Sequence, residues 1–276
     1  MKPPDLRENV SLAPLTTFQI GGPARYFIHA EKENTVLESL DFASERQLPV
    51  FVLGGGSNLL ISDDGFPGLV LHVGIPGIDW SANGTKMIAT AGAGEDWDRI
   101  VAEAVARNLS GVECLSGIPG SVGGTPVQNV GAYGQEVAEV IVAVRALDRE
   151  AQRIVELPRQ QCGFSYRTSI FNSVARDRYV VLSVTFALTP NGAPAIRYPD
   201  IQKVFADGTA PPTLKDVREA VRHVRAGKAM LLVDGDPDCR SAGSFFKNPV
   251  LSLTEFEELE RRRPDERVPR YRREMA

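Results

Sequence analysis

The sequence predicts an α+β fold in two parts, residues 17–189 and residues 190–276. Three observations lead there. Between about residues 24 and 107, short apolar runs alternate with segments of helical period. From about Val140 the apolar period changes to two, as in antiparallel strands with one buried face. Near Ala187–Pro190 the character changes again: the turn-rich joints Pro190–Pro194 and Ala210–Pro212 are followed by helical patterns. Strands and helices in this order suit α+β better than a regular βαβ repeat.

Ala24–Ala30 reads as a strand after a Gly21-Gly22-Pro23 turn, and Asn34 or Thr35 is placed to cap a helix running to about Arg46. Pro49–Leu53, Leu69–Val73 and Met87–Ala91 continue the strands. Glu95–Arg107 is a second helix, its buried face made by Trp97, Ile100, Val101, Ala104 and Val105. Val140–Leu147, Arg153–Leu157 and Tyr179–Leu188 read as antiparallel strands, with Val180, Leu182 and Val184 on one face. Thr213 caps a helix striped by Leu214, Val217, Val221 and Val224, and a charged helix runs from Leu253 to about Arg263.

Composition narrows the function classes. With 43% apolar and 24% charged residues, the 276-residue chain reads as an ordinary soluble protein with a sizeable core. A net charge of -4 gives no general attraction to nucleic acid or to anionic membranes, so an anionic ligand must be held by local cations and backbone amides. No apolar run is long enough to span a bilayer, and Met1–Asp5 lacks the apolar core of a secretion signal. Cys114, Cys162 and Cys239 are odd in number and far apart, and His29, His72 and His223 are not at ligand spacing. The expectation is a reduced cytoplasmic protein with no metal site.

Three glycine-rich loops carry the chemical signal: Gly54–Leu60, Gly92–Gly94, and Ser116–Gly124 continuing into Gln128–Gly134. Glycine lets successive amides turn inward as an anion-binding nest and lets backbone approach a pyrophosphate closely. Ser57, Asn58, Ser121, Thr125 and Asn129 add short polar groups for phosphate or ring atoms. Any one such loop could be no more than a tight turn, but three within eighty residues are harder to explain so. A Rossmann site is set aside, because Gly92–Trp97 has tryptophan where the third glycine belongs and Gly54–Gly56 lacks the spacing. No glycine-lysine-serine or glycine-lysine-threonine ends any loop, so the P-loop signature is absent.

These loops also carry a resemblance. GGGSNLLISD (Gly54–Asp63) resembles the diphosphate loop of FAD-binding domains of the vanillyl-alcohol-oxidase or PCMH type. With TFQIGGPA (Thr17–Ala24), GIPGSVGGTPVQNVGAYGQE (Gly117–Glu136), YRTSIF (Tyr166–Phe171) and SAGSFFKNP (Ser241–Pro249), the chain is similar to the UDP-N-acetylenolpyruvoylglucosamine reductases from about Leu15 to Val268. The resemblance implies a two-subdomain FAD-binding domain followed by a smaller α+β substrate-binding domain. It implies an oxidoreductase of peptidoglycan synthesis, in which NADPH reduces FAD and the flavin passes a hydride to the enolpyruvyl ether of the UDP-sugar, giving UDP-N-acetylmuramate. The partner is then a small-molecule UDP-sugar, with no nucleic acid or membrane, and a monomer is expected.

Carried over residue by residue, the resemblance gives FAD to Gly54, Gly55, Gly56, Ser57, Asn58, Leu59, Gly117, Pro119, Gly120, Ser121, Gly123, Gly124, Thr125, Asn129, Gly131 and Ala132. Arg167 would grip the substrate carboxylate with its planar fork, and Ser244 would deliver a proton. Tyr166, Tyr198, Lys228, Lys247 and Asn248 would touch substrate. Against these roles stand plainer ones: a surface arginine beside a tyrosine, a turn serine and solvated lysines. The family's catalytic glutamate follows a further strand and helix region, and neither Glu266 nor Glu274 sits in the matching motif. The expectation is therefore a C-terminally truncated member with an incomplete substrate domain and an exposed Leu253, Phe256 and Leu259 stripe. A catalytically impaired flavin-binding remnant, or an FAD oxidase of the same fold with another substrate, stays open beside the reductase.

Overall fold

The computed structural model describes residue 3 and residues 5–241, 243–244, 246–266 and 268–270. It divides into two units, Met1–Gly243 and Ser244–Ala276. The first contains β1 (Arg7–Ser11), β2 (Pro23–Ala30), α1 (Glu33–Glu45), β3 (Val50–Leu53), β4 (Phe66–Val73), β5 (Ile78–Asn83), β6 (Lys86–Gly92) and α2 (Trp97–Ala106). There follow β7 (Leu109–Ser110), β8 (Gly131–Ala132), β9 (Gln135–Glu136), β10 (Ile141–Asp148), β11 (Arg153–Pro158), β12 (Tyr179–Pro190), α3 (Pro199–Val204) and α4 (Leu214–Ala226).

Two larger sheets result. The first has the order β1-β2-β4-β3, with β2, β4 and β3 parallel and β1 antiparallel at the edge. The second is antiparallel, β11-β10-β12-β6-β5, with β7 pairing the end of β12. The change from one sheet to the other thus falls after β4, earlier than the change of period at Val140 suggests. Gly84, with φ 57 at the first of two loop positions between paired Asn83 and Lys86, folds β5 and β6 into a hairpin. β6 then pairs β12, from Ser183↔Gly92 to Leu188↔Met87.

Alternation along β12 buries Val180, Leu182, Val184, Phe186 and Leu188, the face expected from the period. Against it packs α2, whose Trp97 lies 5.8 Å from Phe186, ring centre to ring centre. Trp97, Ile100, Val101 and Ala104 are buried as expected, while Val105 is only half-buried. The helix starts at Trp97 rather than Glu95, because Asp96 caps it by accepting the Arg99 amide at 2.8 Å. Similarly α1 starts at Glu33, after an extended Lys32, so Asn34 and Thr35 fall inside its first turn instead of capping it. Thr213 does cap α4, in a reciprocal box with Asp216. At the far end of β10, buried Asp148 pairs with Arg178 at 2.7 Å.

In the second unit, α5 (Leu253–Arg262) opens on a capping box between Ser252 and Glu255. None of its residues is buried: Leu253 is 79% exposed, and Phe256 and Leu259 are half-covered. Arg270 stacks over the Phe256 ring at 5.6 Å.

Side by side on β2 and β4, His29 and His72 face each other with their Nδ1 atoms 3.0 Å apart. One must donate and the other accept, so the pair cannot hold a proton on both nitrogens. Burial, then the neighbouring His29 and Arg7, pushes His72 down to about 4. The unfolded imidazole titrates near 6.5, so as pH falls the unfolded chain takes up the proton first and stability drains away from about pH 6.5 downward. Urea unfolding should show this residue costing about 1–2 kcal/mol between pH 7 and pH 5. The loss should be missing from His72→Gln, and parallel pH profiles of the two proteins would refute the assignment.

Candidate cofactor and substrate site

β3 ends at Leu53 and delivers the Gly54–Leu60 loop to the edge of the first sheet, beside the loop that follows α2. The two loops meet backbone to backbone. A Cβ on Gly55 would lie 2.7 Å from both Gly120 Cα and the Ser121 nitrogen, and one on Gly120 would lie 2.7 Å from Ser57 Oγ. Ser121 Oγ accepts the Gly55 amide at 3.1 Å, and Asn58 Nδ2 reaches Gln128 Oε1 at 3.0 Å. Gly56 O accepts the Thr17 amide at 3.0 Å, which ties the Thr17–Ala24 motif to the same loop.

Between these contacts a row of donors is left over. The amides of Gly56, Ser57, Asn58 and Leu59, and those of Gly120 and Ser121 opposite, donate to no protein group among the described residues. Amides this close together make an anion nest, and a diphosphate would supply the acceptors they lack. The residues present therefore fit a dinucleotide such as FAD.

Other expected cofactor residues serve the loop itself. Asn129 is buried and fully used: its Nδ2 donates to Glu136 at 2.7 Å and to Ser165 O at 3.1 Å, and its Oδ1 accepts the Ala138 amide. Thr125 Oγ1 turns inward to Val122 O at 2.8 Å. Gly123 packs on Ala93, which brings in the Gly92–Gly94 turn, and its amide donates to Ala93 O. Leu59 packs on the small core of Leu12, Phe27 and Leu53. Gly131 and Ala132 form β8, Gly124 closes a 3-10 turn that starts at Val122, and Pro119 lies on the loop before it.

Through Asn129 the third loop is joined to the Tyr166–Phe171 motif. Ser165 and Thr168 exchange backbone hydrogen bonds of 2.9 and 3.0 Å, leaving Tyr166 and Arg167 at the tip of a tight turn. Arg167 has φ 54, a conformation few side chains adopt unless held. It is held: Asn172 Nδ2 donates to Arg167 O at 3.2 Å, and Ser169 Oγ pins the turn to Val127 O at 2.7 Å. The guanidinium lies 5.9 Å from the centre of the Tyr166 ring and pairs with no carboxylate among the described residues.

Lys228 and Tyr198 share a second cluster. Lys228 Nζ contacts Asp200 Oδ2 at 2.7 Å; the carboxylate raises the lysine above its ordinary value and is itself lowered. Tyr198 stands at the start of α3 and meets Tyr133, from the third loop, edge-on at 5.5 Å. Ser244, Lys247 and Asn248 belong to the second unit, where all three are exposed. Glu266 pairs with Arg263 at 3.0 Å, while Ala242 and Phe245 of the Ser241–Pro249 motif and Glu274 lie outside the described residues.

Reading for motifs misses the charged residues that hold this site. Asp98 accepts the Gly117 amide at 2.6 Å, and Arg225 Nε donates to Gly117 O at 3.1 Å. Fully buried Glu113 accepts from Gly111, Gln135 and Ala195. The arginines of α4 recur at 218, 222 and 225, a helical spacing that could have marked a charged face aimed inward.

The contact between the two glycine loops can be probed directly. Gly55→Ala would force Gly120 and Ser121 apart, and FAD affinity should fall about tenfold or more. Because the atoms displaced are backbone, the thermal midpoint without FAD should fall as well, and affinity is therefore compared well below it. Titration of the apoprotein with FAD reads the outcome, and unchanged affinity would place the ligand elsewhere.

Comparison with known proteins agrees with this geometry. Residues 24–157 match a family model described as an FAD binding domain. The UDP-N-acetylenolpyruvoylglucosamine reductase of Thermobifida fusca is 45% identical over 90% of this chain, which spans 70% of the relative. That of Nocardia farcinica is 48% identical over 92% of this chain, which spans 65% of the relative. Among solved structures, the UDP-N-acetylenolpyruvylglucosamine reductase of Thermus caldophilus superposes with a TM-score of 0.63 at 27% identity, over 88% of this chain and 76% of that one. The chain belongs to the UDP-N-acetylenolpyruvoylglucosamine reductase family.

Proposed function

We propose that this chain is an FAD-dependent oxidoreductase that uses NADPH to reduce UDP-N-acetylenolpyruvoylglucosamine to UDP-N-acetylmuramate for the bacterial cell wall, in the cytoplasm and as a monomer. Residues 17–189 hold the cofactor and residues 190–276 serve the substrate. FAD held by these loops would supply the hydride transfer from NADPH to the enolpyruvyl group. The observation that carries the reading is Arg167: a guanidinium with no carboxylate partner among the described residues, on a turn tied to the glycine loops by Asn129 and Ser169.

The chain's own residues divide the work. The open amides of Gly56–Leu59 and of Gly120 and Ser121 take the cofactor diphosphate, with Gly54 and Gly55 keeping the approach clear. Arg167 binds the substrate carboxylate through two parallel N–H bonds, so that negative charge building on the enolpyruvyl group is met by a fixed cation. Tyr166 forms one wall beside it. Tyr198 and Lys228, with Lys247 and Asn248, take the nucleotide sugar, and Lys228 exchanges Asp200 for a substrate phosphate. Ser244 donates its hydroxyl proton to the carbon left with the negative charge once hydride has reached its neighbour across the double bond. A hydroxyl is a weak acid, and it serves here because the carbon it meets is strongly basic.

Purified chain should be yellow with noncovalent FAD that is released on denaturation. Anaerobic stopped-flow traces should show the flavin bleached by NADPH and recoloured by the enolpyruvyl substrate. A yellow chain whose reduced flavin is never recoloured by that substrate would leave a flavin-binding protein and end the reductase reading. Arg167→Lys keeps the charge and loses the fork; FAD content should stay unchanged while recolouring slows by about 10- to 100-fold. Ser244→Ala should leave bleaching by NADPH intact and slow recolouring by about 100- to 10,000-fold. Recolouring at the native rate in either variant would remove that residue from its role.

A further inference from the structure

The backbone N–H and C=O of Gly117, at the start of the third glycine loop, are each held by a charged side chain that the proposed reaction does not use. Asp98, in the first turn of α2, accepts the Gly117 amide on Oδ1 at 2.6 Å. The same oxygen accepts Arg218 NH1 at 2.6 Å, while Oδ2 accepts Arg218 NH2 and Arg222 NH1, each at 2.8 Å. On the other side of the residue, Gly117 O accepts Arg225 Nε at 3.1 Å, and another nitrogen of Arg225 donates to Met230 O. Arg225 is buried, and Asp98 and Arg218 are mostly covered. Burial alone would push the Asp98 carboxyl up, but Arg218, the Gly117 amide and Arg222 together hold it below the ordinary carboxylate range.

The arrangement is directional. All three arginines come from α4, at 218, 222 and 225 on one face. Three and four residues beyond Gly117 lie Gly120 and Ser121, whose backbone abuts the Gly54–Leu60 loop and whose amides donate to no protein group among the described residues. Next to Asp98, the Trp97 amide donates to Gly120 O at 3.0 Å, so the first turn of α2 holds the loop at two points.

We propose that Asp98 is a positioning residue for FAD. It fixes Gly117, and through it the open amides of Gly120 and Ser121, at the height where they meet the cofactor diphosphate. Arg218 and Arg222 keep Asp98 ionised and aimed at the loop. The inference rests on reading residues 117–134 as a flavin loop. Its particular chemistry lies in the four donors shared by two carboxylate oxygens. An asparagine offers one oxygen, and whichever way its amide is turned, its NH2 group meets two N–H donors.

The experiment is an FAD titration of apoprotein for the native chain, Asp98→Asn and Arg218→Met, with Asp148→Asn as a control. The control breaks the buried pair with Arg178, away from the loops. All proteins are measured well below their thermal midpoints, and the absorption envelope of the bound flavin is recorded. Asp98→Asn should raise the FAD dissociation constant about tenfold or more and change the envelope. Arg218→Met, which leaves Asp98 with Arg222 and Gly117, should act in the same direction but less strongly, and it decides the matter if Asp98→Asn does not fold. Asp148→Asn should lower the midpoint and leave affinity and envelope unchanged. Native affinity and envelope in both Asp98→Asn and Arg218→Met would overturn the proposal, as would an equal loss of affinity in the control, which would reduce Asp98 to general stability. A native chain that takes up no FAD would overturn the flavin reading itself, and with it this inference.

Discussion

Between Gly55 and Gly120 there is no room for a carbon atom. Much of the proposed chemistry depends on that approach. It lets two loops from different parts of the chain line up their amides without side chains between them, and it makes a positive patch from neutral groups in an acidic protein. The sheets exist, from this viewpoint, to bring the loops together. Parallel β3 sends one forward, and α2, packed through Trp97 on β12, anchors the other.

Charge is distributed with the same economy. Most arginines near the site are already engaged: Arg218 and Arg222 on Asp98, Arg225 on backbone carbonyls. Arg167 differs: its guanidinium lies by a tyrosine ring and has no carboxylate partner among the described residues. A cation left uncommitted costs the fold little if it stays half in water, and it gains a partner only when an anion arrives.

Much of this was legible from residue order. Period two in β12 and the stripe of α2 follow directly from burial on one face, so pattern and structure agree on both nearly to their ends. The glycine loops were legible because glycine is chosen where backbone must approach backbone. Asn83-Gly84 is a hairpin signal in plain view, yet it assigns β5 and β6 to the second sheet only when read together with their partner β12, nearly a hundred residues away. The Asp98 clamp was not legible, since a carboxylate in the first turn of a helix and arginines on another are ordinary surface residues until the fold brings them within hydrogen-bond reach. The partners of Asn129 were equally hidden: a polar residue in a ligand loop suggests ligand contact, and only the fold shows its side-chain amide holding the Arg167 turn.

The open amides of Gly56–Leu59, Gly120 and Ser121 also bear on how the chain survives before it works. Among the described residues they donate to no protein group, so an anion arriving there meets donors that the fold has already assembled. A ligand that binds only the assembled loops therefore adds its own binding free energy to folding, growing with the logarithm of its concentration. The cofactor is in this sense a chaperone for the chain that will use it. A cell short of flavin would hold fewer folded copies, so supply of the vitamin sets the amount of protein as well as its turnover.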